Sequence, residues 1–252
     1  MTDEVIRPIK SLADITNAFY INLEHRKDRK EEVEREMYTL GIPVERFDAI
    51  KMDIGAIGCS MSHLKILQNA FNNNSDHVLV VEDDIQFLAP EIFKTNFNRF
   101  LEKHGNNWDV ILFAGNNVGP YEAVDETCIK VKKCQTATGY LVNGHYIKKL
   151  FENFETGLNN FVCNQNQASL YAVDQFWFSL QQTDNWYLII PPTVVQRESY
   201  SDIEKTTVNY IGQMIDLDKN GLSNQSNMRE SYKKEIQQHN LKIYKDSRFK
   251  MF

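Results

Sequence analysis

The segment HVLVVEDD, His77 to Asp84, ends a β-branched apolar run in three consecutive carboxylates, Glu82, Asp83 and Asp84. Acids this close repel one another, and a divalent cation relieves the repulsion. On extended backbone, residues i and i+2 face the same way. Glu82 and Asp84 are therefore expected to converge on one hard cation such as Mn²⁺ or Mg²⁺, with Asp83 directed elsewhere. Such ions keep coordination positions open for phosphate oxygens. The competing reading is that the acids only solvate a turn, and the triplet by itself does not decide between the two. A second segment, GCSMSH from Gly58 to His63, puts a histidine beside two serines where a helix is expected to begin. Free N–H groups at a helix N-terminus favour phosphate; the plainer role for His63 is packing. Arg26, next to a predicted strand end, is the better-placed cation, ahead of Arg29, Arg197 and Lys205. Trp177, Trp186, Tyr140 and Tyr200 could stack on a sugar or base, although buried aromatics are the default.

These residues need a scaffold, and the pattern supplies one. Strands are predicted over 18–23, 44–50, 77–81, 108–114, 137–142 and 187–190. Helices are predicted over 28–40, closed by Gly41, from Ser60 or Ser62 to Phe71, and over 144–155 and 174–181. Continuous apolar strands alternating with helices imply a sheet covered on both faces, an α/β layered domain. Ligands in such sheets bind beyond the carboxyl ends of strands, where the acidic triplet falls. After Ser201 the apolar strands stop, and residues 229–252 carry seven Lys/Arg against three Asp/Glu. That segment reads as helix packed on the main domain, or as a surface for a membrane or partner.

Composition excludes several classes. The 252 residues carry 28 Lys+Arg and 34 Asp+Glu, a net charge of −6. That argues against bulk electrostatic binding of nucleic acid. No run reaches the length of a membrane span and the charged N-terminus has no apolar signal region, so a soluble, cytoplasmic protein is expected. Four cysteines are too few for a disulfide framework. Cys128 and Cys134 lack the spacing and the histidines of a zinc site and are read as small buried hydrophobes. VLVVEDD also resembles the opening of a response-regulator receiver domain, but some 77 residues precede it and no matching phospho-acceptor turn follows, so that reading is rejected.

A broader resemblance fits the whole order of motifs. AFYINLEHRKDRKEEV, ERFDAI, GAIGCSMSHLKIL and VLVVEDDIQF, followed by WDVILFAG, TGYLV, VDQF and PPTVVQRESYSDI, resemble glycosyltransferase family 25 across residues 17–205. The resemblance implies a GT-A-type α/β fold with a central mixed sheet flanked by helices. It also implies a UDP-sugar donor, typically UDP-galactose, a Mn²⁺ or Mg²⁺ ion, a glycan or glycoconjugate acceptor, and inversion at the anomeric carbon. By position, Glu82 and Asp84 match the metal ligands and Asp83 lies with them. Ile21, Asn22, Leu23 and Arg26 match the nucleotide cradle, Gly58, Cys59, Ser62 and His63 the GCxxSH segment, and Gln196 and Ser201 a late polar segment. Asp174 matches a later acidic position. Inversion needs a base on the face opposite the leaving group and away from the metal ligands, which makes Asp174 the expected catalytic base, or else a helix N-cap. The expected organisation is a catalytic domain over 1–205 and a helical C-terminal extension over 206–252. The opposing reading is a non-catalytic nucleotide-sugar or carbohydrate-binding module; the intact acidic triplet argues against it.

Overall fold

The computed structural model describes residues 8–219. After a 3₁₀ turn (Leu12–Asp14), the elements in chain order are strand β1 (Ala18–Asn22), helix α1 (Lys27–Leu40), β2 (Glu45–Asp48) and α2 (Gly55–Asn72). Then come β3 (His77–Glu82), β4 (Ile85–Phe87), α3 (Pro90–His104) and β5 (Val110–Leu112). Short strands β6 (Asn116–Asn117), β7 (Tyr121–Ala123), β8 (Cys128–Val131) and β9 (Cys134–Gln135) lead to β10 (Gly139–Asn143) and the long α4 (Gly144–Cys163). Three single turns of helix follow, α5 (Ala168–Tyr171), α6 (Val173–Phe176) and α7 (Phe178–Gln181), then β11 (Trp186–Ile189) and β12 (Val194–Gln196). The hairpin β13 (Ser199–Ser201) and β14 (Thr206–Val208) and helix α8 (Ile211–Ile215) complete the described chain.

Among the described residues, eight strands form one mixed sheet in the order β2-β1-β3-β10-β5-β11-β8-β7. β1 runs parallel to both β2 and β3, while β10 runs antiparallel to β3 and β5. Alternation along β3 sends Leu79 and Val81 into one core and Val78 and Val80 into the other. Helices α1 and α3 cover the first face through Val33, Met37, Phe93, Phe97 and Phe100. Helices α2 and α4 cover the second through Ile66, Leu67, Ile147, Leu150 and Phe154. Phe93 meets Phe113 at 4.8 Å between ring centres and Phe97 meets it edge-on at 5.3 Å. Such pairs add about 0.5–1.5 kcal/mol each beyond their buried area. The α/β architecture expected from the sequence, a mixed sheet with helices on both faces, is the one observed.

Several boundaries differ from the sequence reading. Gly41 ends α1 as expected, at φ +75° with its N–H turned back to the helix. Helix α2, however, starts at Gly55 rather than at Ser60 or Ser62. Both serines donate to carbonyls four residues back, Ser60 to Ala56 and Ser62 to Gly58, the habit of a hydroxyl inside a helix rather than at its cap. His63 therefore sits well inside the helix, away from its free N–H groups. The helix expected over 174–181 is two separate turns, α6 and α7. α3, which opens with Pro90 and lays Ile92, Phe93, Phe97, Phe100 and Leu101 along one buried face, is an addition to the sequence reading, as are the short strands outside the main run. The segment 229–252, and all of the C-terminal extension beyond residue 219, lie outside the described residues. Between 206 and 219, α8 buries Ile211, Met214 and Ile215 in the α1/α3 core. No helix among the described residues is long and apolar enough to cross a membrane.

Candidate active site

The site forms where β3 leaves the sheet. Glu82 is the last residue of β3, its N–H bonded to the Thr138 carbonyl at 2.9 Å. The chain then turns at Asp83 and Asp84 into β4, which pairs with β12 rather than with the main sheet. The extended backbone assumed for all three acids therefore stops at Glu82, and their side chains divide differently from the expectation. Asp83 and Asp84 share one cation, Arg29, whose guanidinium lies 2.8 Å from Asp83 Oδ1 and 3.2 Å from Asp84 Oδ2. Glu82 turns toward α2, where His63 Nε2 stands 3.5 Å and Cys59 Sγ 3.6 Å from its Oε1.

Each partner is fixed by its own element. Arg29 projects from the buried face of α1 and also donates to Ser199 Oγ at 2.5 Å and the Tyr200 carbonyl at 3.0 Å. Asn22, at the end of β1, donates to Asp83 Oδ2 at 2.7 Å and to the Arg26 carbonyl at 3.0 Å. Gln196 ends β12 and donates to Asp84 Oδ2 at 2.9 Å. His63 is fully buried and meets the Tyr140 hydroxyl through Nδ1 at 2.9 Å. Ser62 ties α2 to the preceding loop by accepting the Ile50 N–H at 2.9 Å. That loop is close because position 58 is glycine: a Cβ there would lie 2.3 Å from the Ile50 carbonyl oxygen.

Burial sets the electrostatics. Asp84 is 4% exposed; burial, then the neighbouring Glu82 charge, push its carboxyl up to about 7 against the pull of Arg29. Burial would also raise Glu82, but the hydrogen bond from His63 leads the opposing effects and holds it below the usual value. Burial likewise raises Asp83 despite Arg29. Asp84 Oδ1 is buried and has no hydrogen-bond partner. An orphaned carboxylate oxygen beside an ionised glutamate suits a cation, so the residues present fit a divalent metal. Cys59, His63 and Glu82 also place one ligand atom each within 4.8 Å of one another.

Two cavities flank Glu82. The first, about 260 Å³, is lined by Ile21, Leu23, Arg26, Cys59, Ser62, the three acids, Gln196 and Ser201 among the expected residues. Asn22, Gly58 and His63 stand behind this lining and hold it. Arg29 and Lys51 also line it. Arg29 was underrated by the sequence reading, although it occupies the same face of α1 as Val33, Met37 and Leu40. A cation in an apolar stripe was the available signal. Arg26 pairs with Asp202 at 2.7 Å and with Asp28 at 2.9 Å. Arg197 is held by Glu36 at 2.6 Å, but its backbone N–H reaches the Asp84 carbonyl, also at 2.6 Å.

The second cavity, about 290 Å³, is lined by Asp174 together with Cys59, Glu82, Gln196 and Ser201. Asp174 is not the N-cap of α6; that position is Ala172. Its Oδ2 instead accepts the Thr136 N–H at 3.1 Å, and burial raises its carboxyl. Thr136 has φ +78°, a costly conformation for a β-branched residue and of the kind that gathers at functional sites. Trp177, Trp186 and Tyr140 are core, leaving Tyr200 exposed. Cys128 and Cys134 are buried in different cores, one on each face of the sheet, and do not pair; Cys128 Sγ lies 3.9 Å from His104 Nε2 and 4.0 Å from Asp125 Oδ1, neighbours the sequence reading did not give it.

The chain is similar to known proteins over much of its length. Residues 51–177, which include α2, β3 and the acidic turn, match the family described as glycosyltransferase family 25 (LPS biosynthesis protein). The chain belongs to glycosyltransferase family 25. A glycosyltransferase 25 family member from Aedes aegypti is 26% identical over 177 residues, 57% of this chain and 29% of that protein. The chain thus spans less than a third of that relative. The lipooligosaccharide biosynthesis protein lic2B of Haemophilus influenzae is 22% identical over 210 residues, 71% of this chain and 75% of its own length. Among solved structures, a glycosyltransferase involved in glycosylation of the major capsid of PBCV-1 gives a TM-score of 0.44 at 13% identity, covering 75% of this chain and 96% of that one.

Proposed function

We propose that this family 25 chain is a metal-dependent, inverting hexosyltransferase of GT-A type. It moves a hexose, galactose first among them, from a UDP-sugar to a hydroxyl of a glycan or glycoconjugate acceptor. The observation that carries this reading is the wall common to the two cavities: Cys59, Glu82, Gln196, Ser201 and Ile203 separate a cavity with cationic side chains from one that holds Asp174.

The donor's diphosphate suits the first cavity, where Arg26, Arg29, Lys51 and Lys205 supply positive charge. Glu82 and Asp84 would hold the Mn²⁺ or Mg²⁺ ion, which supplies neutralisation of the departing diphosphate. Arg29 keeps Asp83 and Asp84 together and balances their charge. Asp174, on the other side of Glu82, accepts the proton of the acceptor hydroxyl as that oxygen attacks the anomeric carbon. A buried carboxylate of raised pKa is a better base near neutrality than an exposed one. The N–H of Thr136 holds the same carboxylate in one orientation.

The test is release of UDP from a panel of UDP-sugars, with Mn²⁺ and with chelator. Metal-dependent release, greatest for one donor, supports the reading and names the sugar. Purified protein that neither binds UDP with metal nor releases it from any UDP-sugar would falsify it.

A further inference from the structure

The two cavities differ in charge. Around the second, the lining includes three carboxylates, Glu82, Asp174 and Glu204, and no Lys, Arg or His among the described residues. Its remaining polar groups are amides and hydroxyls, among them Asn116, Gln135 and Tyr210. An anion entering such a space would lose hydration and meet like charge with no counterion. A sugar ring without charge loses less, because each hydroxyl both donates and accepts.

Asn116 adds a specific contact point. It is 6% exposed and its Oδ1 is buried without a hydrogen-bond partner. Its backbone is pinned twice: β6 pairs with β9, Asn116 opposite Gln135, and the Asn116 N–H donates to Thr136 Oγ1 at 3.0 Å. Thr136 is the residue whose N–H holds Asp174. The unpaired amide and the proposed base are therefore positioned by one strained residue. A buried acceptor left unpaired is a free-energy cost that a ligand hydroxyl can remove.

We infer that the second cavity takes the acceptor's terminal residue as an uncharged sugar, and that Asn116 Oδ1 accepts a hydrogen bond from one of its hydroxyls. Acceptors with a carboxylate or phosphate on that ring are rejected by Asp174 and Glu204, the two carboxylates of the lining that the metal does not engage. This rests on the transferase reading above and adds the acceptor class to it.

The test is ligand-observed saturation-transfer NMR on the protein loaded with UDP and Mg²⁺. The probes are methyl galactoside, methyl glucoside and lactose against methyl galacturonide, methyl glucuronide and galactose 6-phosphate. At least one neutral sugar should bind, its charged counterparts about tenfold or more weakly. Asn116→Leu should weaken neutral-sugar binding by about tenfold, and Asn116→Ala should do the same if the leucine variant does not fold. In turnover assays the loss should fall on the acceptor KM rather than on the donor KM. The inference is overturned if no neutral sugar binds, if a charged counterpart binds as well as its neutral partner, or if both variants bind like the wild type. UDP affinity and UDP release, measured on the same samples, report separately on the donor reading.

Discussion

The two cavities meet at one glutamate and are built in opposite ways. The first is a network of committed charges: Arg29 on Asp83 and Asp84, Arg26 on Asp28 and Asp202, Gln196 on Asp84. In the second, Asp174 is held by the Thr136 N–H and more distantly by Gln175 Nε2, with no cation on it, and the Asn116 amide oxygen is held by nothing. The difference suits two ligands of different chemistry. A diphosphate with its metal needs charge fixed in advance, because preorganised charge costs no rearrangement when the ligand arrives. A hydroxyl acceptor needs a base and neutral contacts, and fixed cations beside them would lower the pKa of the carboxylate and weaken it as a base.

The comparison can be broken most sharply at Asp174. Asp174→Asn is expected to lower kcat by about 10²–10⁴-fold while UDP affinity in Mn²⁺ stays unchanged, since only the proton acceptor is lost. Normal turnover in that variant, measured by UDP release, removes Asp174 as the base. On the donor side, Arg29→Met leaves Asp83 and Asp84 buried beside each other without their cation. Breaking such a pair is expected to cost about 3–5 kcal/mol in urea unfolding, and to weaken UDP binding in parallel. Arg29→Lys keeps the charge but not the fork to Ser199 and Tyr200, and should fall between the two.

Gly58→Ala separates the cavities by another route. The added carbon would press on the Ile50 carbonyl and on the chain toward Met52, both part of the first cavity. A loss of about 1–3 kcal/mol in denaturant unfolding is expected, with UDP binding affected and acceptor binding spared. Unchanged stability would show that the loop yields freely.

The smallest effect lies at the opposite end of β3. His77 Nε2 accepts N–H bonds from Thr16 at 3.1 Å and Asn17 at 3.3 Å, which only the neutral ring can do. Burial lowers its pKa below 6.5, against the pull of Asp76 and Asp14. Above 6.5 both folded and unfolded chains are neutral there, and the stability is complete. As pH falls below 6.5 the unfolded chain takes the proton first, so stability falls until the folded ring also protonates. His77→Gln should flatten part of the fall in melting temperature between pH 7 and pH 5. The same slope in the variant would assign that fall to other groups.

Much of this was legible along the chain because it is local. The apolar run ending in Glu82-Asp83-Asp84, the Gly41 stop of α1 and the alternation of strands and helices are written in neighbouring residues, and the ordered motifs pointed to the family. The helix start at Gly55 was missed because Ser60 and Ser62 look the same in sequence whether they cap a helix or bond back inside one. Asp174 reads as an N-cap or a base in sequence, and the start of α6 at Val173, with Ala172 as its cap, removes the first option.

By itself, then, the sequence determined the layered sheet, the strand end that carries the acids and the residue types available for chemistry, since periodicity and spacing are properties of short segments. Only the tertiary structure decided which acid faces which partner. The turn after Glu82 sends Asp83 and Asp84 to Arg29 and leaves Glu82 to α2, and that division depends on β4 leaving the sheet to pair with β12, far away in the chain. Contacts between distant segments are set by how the whole chain fills its cores, and no local pattern encodes them.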